Sequence, residues 1–146
     1  MHYTQYDTRV AAYAVLVDAD DRILLTWWNG EGRAEGLWSM PGGGVEFDES
    51  VEEAVAREVF EETGYEVVVD RPLTTHSFSG ASDRSDRPYK SVRLLYEATI
   101  VGGSLGTTEV GGSTDFAEWV PLADVPSLAA KADIVDIAYA ALTSGG

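Results

Sequence analysis

The alternation of apolar and polar residues predicts a chain made mainly of short strands. Two apolar runs, residues 9–17 and 22–28, flank the turn-forming sequence Asp-Ala-Asp-Asp, and this arrangement predicts a β-hairpin. Further strand-like runs follow at residues 37–40, 65–69, 73–78, 92–101 and 116–120. Loops rich in glycine, serine and charged residues lie at residues 29–36, 80–88 and 102–114, and we expect these loops to determine substrate selectivity.

Helical periodicity occurs in two places that are far apart in the sequence. Ser50 and Glu53 form a capping box and Gly64 suits a helix C-terminus, so a helix is predicted over residues 51–63. A second helix is predicted over residues 134–142, where apolar residues recur at helical spacing. Strands interrupted by two distant helices predict a single α/β domain over all 146 residues, with a mixed β-sheet between the helices.

The first predicted helix carries a group of carboxylates on the side that should face the protein. Glu58 and Glu62 are four residues apart and Glu58 and Glu61 are three apart, so all three lie on one helix face. Carboxylates crowded on one patch repel each other unless a cation lies among them. The patch is therefore predicted to bind a metal ion, and oxygen ligands favour Mg²⁺ first and Mn²⁺ second.

Composition narrows the choice of partners. The formal net charge is -15, and such a surface repels nucleic acid and anionic membranes, so neither is expected as a partner. An enzyme that acts on phosphate esters with this charge would need divalent cations in its site. The chain has no cysteine, and its polar start lacks the basic region of a signal peptide, which together are compatible with a cytoplasmic location.

The residues 43–65 combine a predicted glycine turn with the carboxylate helix at fixed spacing. The fixed positions are Gly43, Glu49, Arg57, Glu58, Glu61, Glu62 and Gly64, with apolar Val59 between them. This pattern resembles the signature of the Nudix hydrolase family, the Nudix box. One position departs from it: the last residue is usually small and aliphatic, and here it is Tyr65.

The resemblance implies a Nudix fold, in which a mixed sheet is sandwiched between helices. It also implies metal-dependent hydrolysis of a diphosphate bond by attack of water on phosphorus. The expected substrate is a nucleoside diphosphate linked to another group, such as a nucleoside triphosphate, including an oxidised one, or a nucleotide sugar. The alternative is a module with weak catalysis that binds a nucleotide-like ligand for regulation. Both a monomer and a homodimer are compatible with the sequence.

The resemblance also assigns roles to the polar positions of the box. Glu49 and Arg57 match the pair that joins the loop to the helix and holds the carboxylates in place, which includes both residues in the catalytic machinery. The metal ligands that it implies are Glu58, Glu61, Glu62 and the carbonyl oxygen of Gly42.

The general base and the substrate contacts stay open. The base is Glu61, Glu62 or an acidic residue of a distal loop. Among the distal acids Glu109, Asp115 and Glu118, we favour Glu109, as a base or as a further metal ligand. The candidate substrate contacts are Trp27, Trp28 and Arg33, although tryptophans in strands more often belong to a core.

Overall fold

Two sheets form the centre of the computed structural model, which describes residues 1–82 and 84–144. Within these residues the strands are β1 (Asp7–Val15), β2 (Arg22–Trp28), β3 (Leu37–Ser39), β4 (Gly42–Gly44), β5 (Tyr65–Ala81), β6 (Pro88–Gly103) and β7 (Thr114–Pro121), and the helices are α1 (Val51–Thr63) and α2 (Asp133–Ser144). The mixed sheet has the order β4-β1-β6-β5, with β1 parallel to β6 and antiparallel to β4. The second sheet, β3-β2-β7, is antiparallel.

Helix α1 begins and ends where the sequence predicts. Ser50 Oγ accepts a hydrogen bond from Glu53 N at 3.1 Å, and Glu53 Oε1 accepts one from Ser50 N at 2.9 Å. Gly64 ends the helix with φ of 81°, a left-handed conformation that glycine adopts without strain. Helix α2 extends the predicted second helix by one residue at its start and two at its end. Neither helix has the length and apolar character that a membrane-spanning helix needs.

The two helices pack on opposite sides of the sheets. Successive residues of a strand point to opposite faces, so each strand contributes side chains to both sides. On one side, Leu16 and Leu24 pack with Val55 and Val59 of α1. On the other side, strand residues pack against α2 in a second buried cluster, which contains Val15, Ile23, Leu25, Leu95, Ile134, Val135 and Ala138. The prediction of an α/β fold with helices on both sides of a mixed sheet is therefore confirmed, and the antiparallel sheet β3-β2-β7 is an addition to it.

The predicted hairpin of β1 and β2 forms only next to its turn. There Leu24 N donates to Leu16 O at 3.0 Å and Asp18 N donates to Arg22 O at 2.9 Å, on either side of the antiparallel bridge between Val17 and Ile23. Beyond this point the two strands enter different sheets. Each strand is buried on both faces, and each has a hydrogen-bonded neighbour on both of its edges: β4 and β6 flank β1, while β3 and β7 flank β2. With both edges of each strand satisfied in this way, the two strands do not pair along their length.

Residues 65–69 and 73–78, predicted as separate strands, belong to the single strand β5. Its pairing with β6 shifts register around Arg71 and again after Pro72. Proline does not break the strand because β5 is at the edge of its sheet, where one row of N–H groups has no partner strand.

Candidate active site

The glycine segment predicted to be a turn is instead the short strand β4, paired with β1. Gly42 has φ of 150°, and a Cβ there would lie 2.6 Å from Tyr13 Cα. A Cβ at Gly43 would lie 2.8 Å from Glu58 Oε1. The contact at Gly42 is with backbone, so only glycine fits there, whereas a Cβ at Gly43 would force the Glu58 carboxylate to shift. The glycines therefore allow β4 to lie between the central strand β1 and the carboxylates of α1 without displacing either.

Two glutamates of α1 contact β4. The Glu58 carboxylate lies against Gly43, and its side chain is 17% exposed. Glu62 lies deeper, where its Oε2 accepts a hydrogen bond of 2.7 Å from Gly42 N and its Oε1 accepts one of 3.1 Å from Thr114 Oγ1. Because β4 and β7 belong to different sheets, the Glu62 side chain joins the two sheets at the end of α1.

Arg57 joins the loop before α1 to the helix, as the resemblance implies. Its Nε donates to Glu49 Oε2 at 3.0 Å and its Nη2 to Glu49 Oε1 at 2.6 Å, a two-pronged ion pair. The same Nη2 donates to Gly44 O at 3.2 Å, which ties β4 to the pair. Hydrogen bonding to Arg57 lowers the pKa of Glu49 to about 2, and the same bonds raise the pKa of Arg57.

The carboxylates of α1 carry more negative charge than Arg57 neutralises. Arg57 Nη1 donates to Glu58 Oε1 at 3.1 Å and to Glu61 Oε2 at 3.4 Å. Burial raises the pKa of Glu58 even though Arg57 acts in the opposite direction. Burial raises the pKa of Glu62 to about 8, with Glu58 and Glu61 adding to the effect. A bound cation would relieve this electrostatic cost.

The loop between β6 and β7 caps the C-terminus of α1 and brings Glu109 to the site. The carbonyl oxygen of Glu61 accepts hydrogen bonds from Thr107 Oγ1 at 2.8 Å, Thr108 N at 2.9 Å and Glu109 N at 3.2 Å. The charge of Glu109 contributes to the raised pKa of Glu58, so the two carboxylates are electrostatic neighbours. The favoured distal acid therefore lies beside the box. This loop is rich in threonine, and no pattern in its sequence predicts that it caps α1.

The other two distal acids lie elsewhere. Asp115 Oδ1 accepts a hydrogen bond of 3.0 Å from Asn29 Nδ2, which ties the start of β7 to the loop after β2. Glu118 pairs in register with Leu25, a residue of the cluster that faces α2, and its neighbour Trp119 packs on the α1 side. Strand alternation therefore directs Glu118 away from the carboxylates of α1.

A cleft of about 470 Å³ opens beside β4. Glu58 and Glu62 line one part of it, together with all three glycines of β4. Trp28 lines the cleft, whereas Trp27 does not: the Trp27 ring stacks on Phe116 with 6.1 Å between ring centroids. Alternation along β2 explains this difference, so the prediction of a substrate contact stays with Trp28 and not with Trp27.

Sequence reasoning also missed residues of the cleft. Arg33, predicted as a substrate contact, forms an ion pair of 2.7 Å with Glu31 and does not line the cleft, whereas Glu31 does. Thr26 is buried and polar within an apolar strand, a signal that could have identified it. Cleft residues without a role in the sequence-based prediction include Arg9, Tyr13, Thr26, Ser39, Ser113 and Thr114.

The donor set of this site fits a divalent cation. Within residues 1–82 and 84–144, no three acidic or histidine side chains converge on one point, because the carboxylates are hydrogen-bonded to Arg57, Gly42 and Thr114. To bind a metal ion, these glutamates must therefore give up hydrogen bonds to their present donors and coordinate the ion instead. Their oxygen chemistry suits Mg²⁺ or Mn²⁺. The raised pKa of the buried Glu62 shows that its ionised form is unfavourable unless a cation lies beside it.

Comparison with known proteins agrees with this geometry. The family described as NUDIX domain matches residues 7–141. The ADP-ribose pyrophosphatase of Methanocaldococcus jannaschii is 32% identical over 127 residues, which cover 87% of this chain and 70% of that protein. A putative 8-oxo-dGTP diphosphatase of Bacillus subtilis is 29% identical over 125 residues, 85% of this chain and 70% of that protein. The structure of a NUDIX hydrolase from Nitrosomonas europaea matches with a TM-score of 0.77 at 20% identity, covering 95% and 90% of the two chains.

Proposed function

The chain belongs to the NUDIX domain family and is a Nudix-type hydrolase, and we propose that it hydrolyses, with a divalent cation, a diphosphate bond in a nucleoside diphosphate linked to another group. The observation that carries this proposal is the burial of Glu62 beside the glycine strand at the cleft. A surface helix would expose that carboxylate to water. Here its charge is costly unless a cation lies beside it, and a phosphorylated substrate needs that cation.

The residues that hold the cation in this proposal are Glu58, Glu61 and Glu62, together with the carbonyl oxygen of Gly42. When bound, Mg²⁺ or Mn²⁺ neutralises phosphate oxygens and lowers the pKa of a water molecule. Arg57 and Glu49 keep the carboxylates in position, because their two-pronged ion pair joins α1 to the loop that leads from β4.

Hydrolysis requires a carboxylate that takes a proton from the attacking water. The water oxygen bonds to one phosphorus, the bond from that phosphorus to the bridging oxygen breaks, and the bridging oxygen leaves with the other phosphate. Glu61 and Glu62 lie on α1, and Glu109 lies on the loop that caps it, so each is a candidate for the base. Replacing each in turn by glutamine and measuring the pH dependence of kcat identifies the base.

The names of two relatives support two substrate classes, namely ADP-ribose and oxidised nucleoside triphosphates. The cleft offers an aromatic surface at Trp28 and hydroxyl groups at Thr26, Ser39 and Ser113. These groups suit the base and the sugar of a nucleotide, and they are compatible with either class.

A phosphate-release screen tests the proposal. Purified protein with Mg²⁺ is incubated with ADP-ribose, dGTP, 8-oxo-dGTP and a nucleotide sugar, and Glu62→Gln serves as the control. We expect turnover of at least one compound by the natural protein and a loss of at least about 100-fold in Glu62→Gln. Equal turnover by Glu62→Gln would refute the site, and tight binding without turnover would support a regulatory module instead.

A further inference from the structure

Arg9 is a cleft cation that the proposed chemistry leaves without a role. It lies near the start of β1 and lines the same cleft as Glu58, Glu62 and Trp28. Its guanidinium lies across Gly44: Nη2 is 3.6 Å from the position that a Cβ at residue 44 would occupy.

In the part of the chain that the structure describes, Arg9 has no carboxylate partner, which distinguishes it from most basic residues of this acidic protein. The chain has 10 lysines and arginines against 25 aspartates and glutamates. Within residues 1–82 and 84–144, seven of the ten form ion pairs, namely Arg22, Arg33, Arg57, Arg71, Arg87, Arg93 and Lys131. Arg9 pairs with no carboxylate among residues 1–82 and 84–144 and donates no side-chain hydrogen bond to them. Its charge is therefore available to a ligand in the cleft.

The position of Arg9 relative to the carboxylates indicates what kind of ligand would bind in the cleft. Gly43 lies against Glu58, and the next residue, Gly44, lies against Arg9. The two charged groups therefore lie beside adjacent glycines of β4, and these glycines are about 3.3 Å apart along the strand. Because β4 is an edge strand, both of its faces are reached from one cleft. A ligand that lies across this edge meets carboxylates on one side and a guanidinium on the other.

We propose that Arg9 is a substrate-binding residue, whose guanidinium hydrogen-bonds phosphate oxygens of the nucleotide on the opposite side of β4 from Glu58 and Glu62. This proposal rests on the proposed function and assigns a contact within it. Guanidinium matches phosphate with two parallel hydrogen bonds, and this contact neutralises oxygens that face away from the carboxylates. Arg84 also lines the cleft, and its charge reinforces the preference for an anion at this end.

The test compares Arg9→Gln and Arg9→Lys with Arg71→Gln. Arg71 is an exposed arginine of β5 whose removal changes the net charge equally, and it does not line the cleft. The assays are kcat and KM with ADP-ribose and with dGTP, and calorimetric binding of the non-hydrolysable α,β-methylene-ADP, all with Mg²⁺. Thermal unfolding checks that each variant is folded. We expect the unfolding temperature of Arg9→Gln to be unchanged, because the Arg9 side chain forms no ion pair or hydrogen bond within the described residues.

For Arg9→Gln we expect KM and the Kd of α,β-methylene-ADP to rise about 10-fold or more, the effect of losing a charge-assisted hydrogen bond, with kcat changed much less. Arg9→Lys should give an intermediate value, because lysine keeps the charge without the planar fork. Arg71→Gln should match the natural protein in both assays.

The outcomes separate this proposal from the proposed function. If the natural protein turns over a substrate and Arg9→Gln has the same KM and Kd, the Arg9 contact is refuted and the function stands. If the natural protein hydrolyses neither compound, the proposed function fails for both, and the binding assay decides alone. Weaker binding of α,β-methylene-ADP by Arg9→Gln then still supports the contact, whereas equal binding, or none by either protein, overturns it.

Discussion

Replacing Glu62 by glutamine should stabilise the metal-free protein while it abolishes hydrolysis. Burial raises the pKa of Glu62 from 4.5 to about 8. Below pH 4.5 the carboxyl is protonated in both the folded and the unfolded chain, so its burial carries no ionic cost. Between pH 4.5 and 8 the unfolded chain loses this proton and the folded chain retains it, so stability falls as pH rises, and the loss levels off above pH 8.

The magnitude follows from the pKa difference. Between pH 4.5 and 8, each pH unit lowers the free energy of unfolding by about 1.4 kcal/mol. At pH 7 the natural protein is therefore about 3 kcal/mol less stable than it would be with a neutral side chain at this position. Glutamine keeps the hydrogen bonds, because its carbonyl oxygen can accept from Gly42 N and its amide group can donate to Thr114 Oγ1. Glu62→Gln should therefore exceed the natural protein in stability by about 3 kcal/mol at pH 7 and equal it at pH 4.5.

Urea unfolding in EDTA, followed by the fluorescence of the four tryptophans, measures this difference between pH 4.5 and 8. A change of about 3 kcal/mol moves the midpoint by roughly 1–3 M urea. The matched control is Glu61→Gln on the same helix, whose side chain is 34% exposed and accepts a hydrogen bond from Arg57 Nη1, so little stabilisation is expected. Adding Mg²⁺ should stabilise the natural protein more than Glu62→Gln. A Glu62→Gln variant that is no more stable at pH 7, or whose advantage does not depend on pH, would refute this reasoning.

Two further substitutions test how β4 and α1 are held together. Arg57→Ala should lower kcat about 10- to 100-fold with the fold retained by circular dichroism, because Glu49 loses the partner that fixes the loop; unchanged kcat would contradict this role. Gly43→Ala should raise the Mg²⁺ concentration needed for half-maximal activity, because a Cβ there would lie 2.8 Å from Glu58 Oε1 and displace that carboxylate. Gly44→Ala is its control, since a Cβ at that position meets only ordinary contacts, and equal Mg²⁺ dependence of the two variants would count against the steric argument.

Local signals made α1 predictable and left the sheets unpredictable. The capping box at Ser50 and the glycine at Gly64 act within a few residues, so the sequence contains both ends of the helix. The same holds for the spacing that places Glu58 and Glu62 on one face. The partners of β1 and β2 depend on hydrogen bonds to strands far along the chain, and nothing in residues 9–28 specifies them.

Cleft residues were hard to predict for a related reason. Alternation along β2 separates Trp27 from Trp28, yet it does not say which face borders a cleft. Arg9 lacks any local signal, because its position becomes meaningful only when β4 pairs with β1. The role of Glu109 as a distal base or metal ligand stays a prediction, and the hydrogen bonds to Glu61 O that hold its loop were not foreseeable from a run of small polar residues.

The charge distribution around β4 reconciles an acidic protein with an anionic substrate. A net charge of -15 repels phosphate at long range, but at physiological ionic strength charges beyond about 8 Å are largely screened. The charges that act on a bound diphosphate are therefore those lining the cleft. Glu58 and Glu62 are suited to hold a cation, and Arg9 places a second positive charge across the same strand, so phosphate oxygens on both sides of β4 would face positive charge. The glycines make this possible, because a side chain at residue 43 would push the Glu58 carboxylate away.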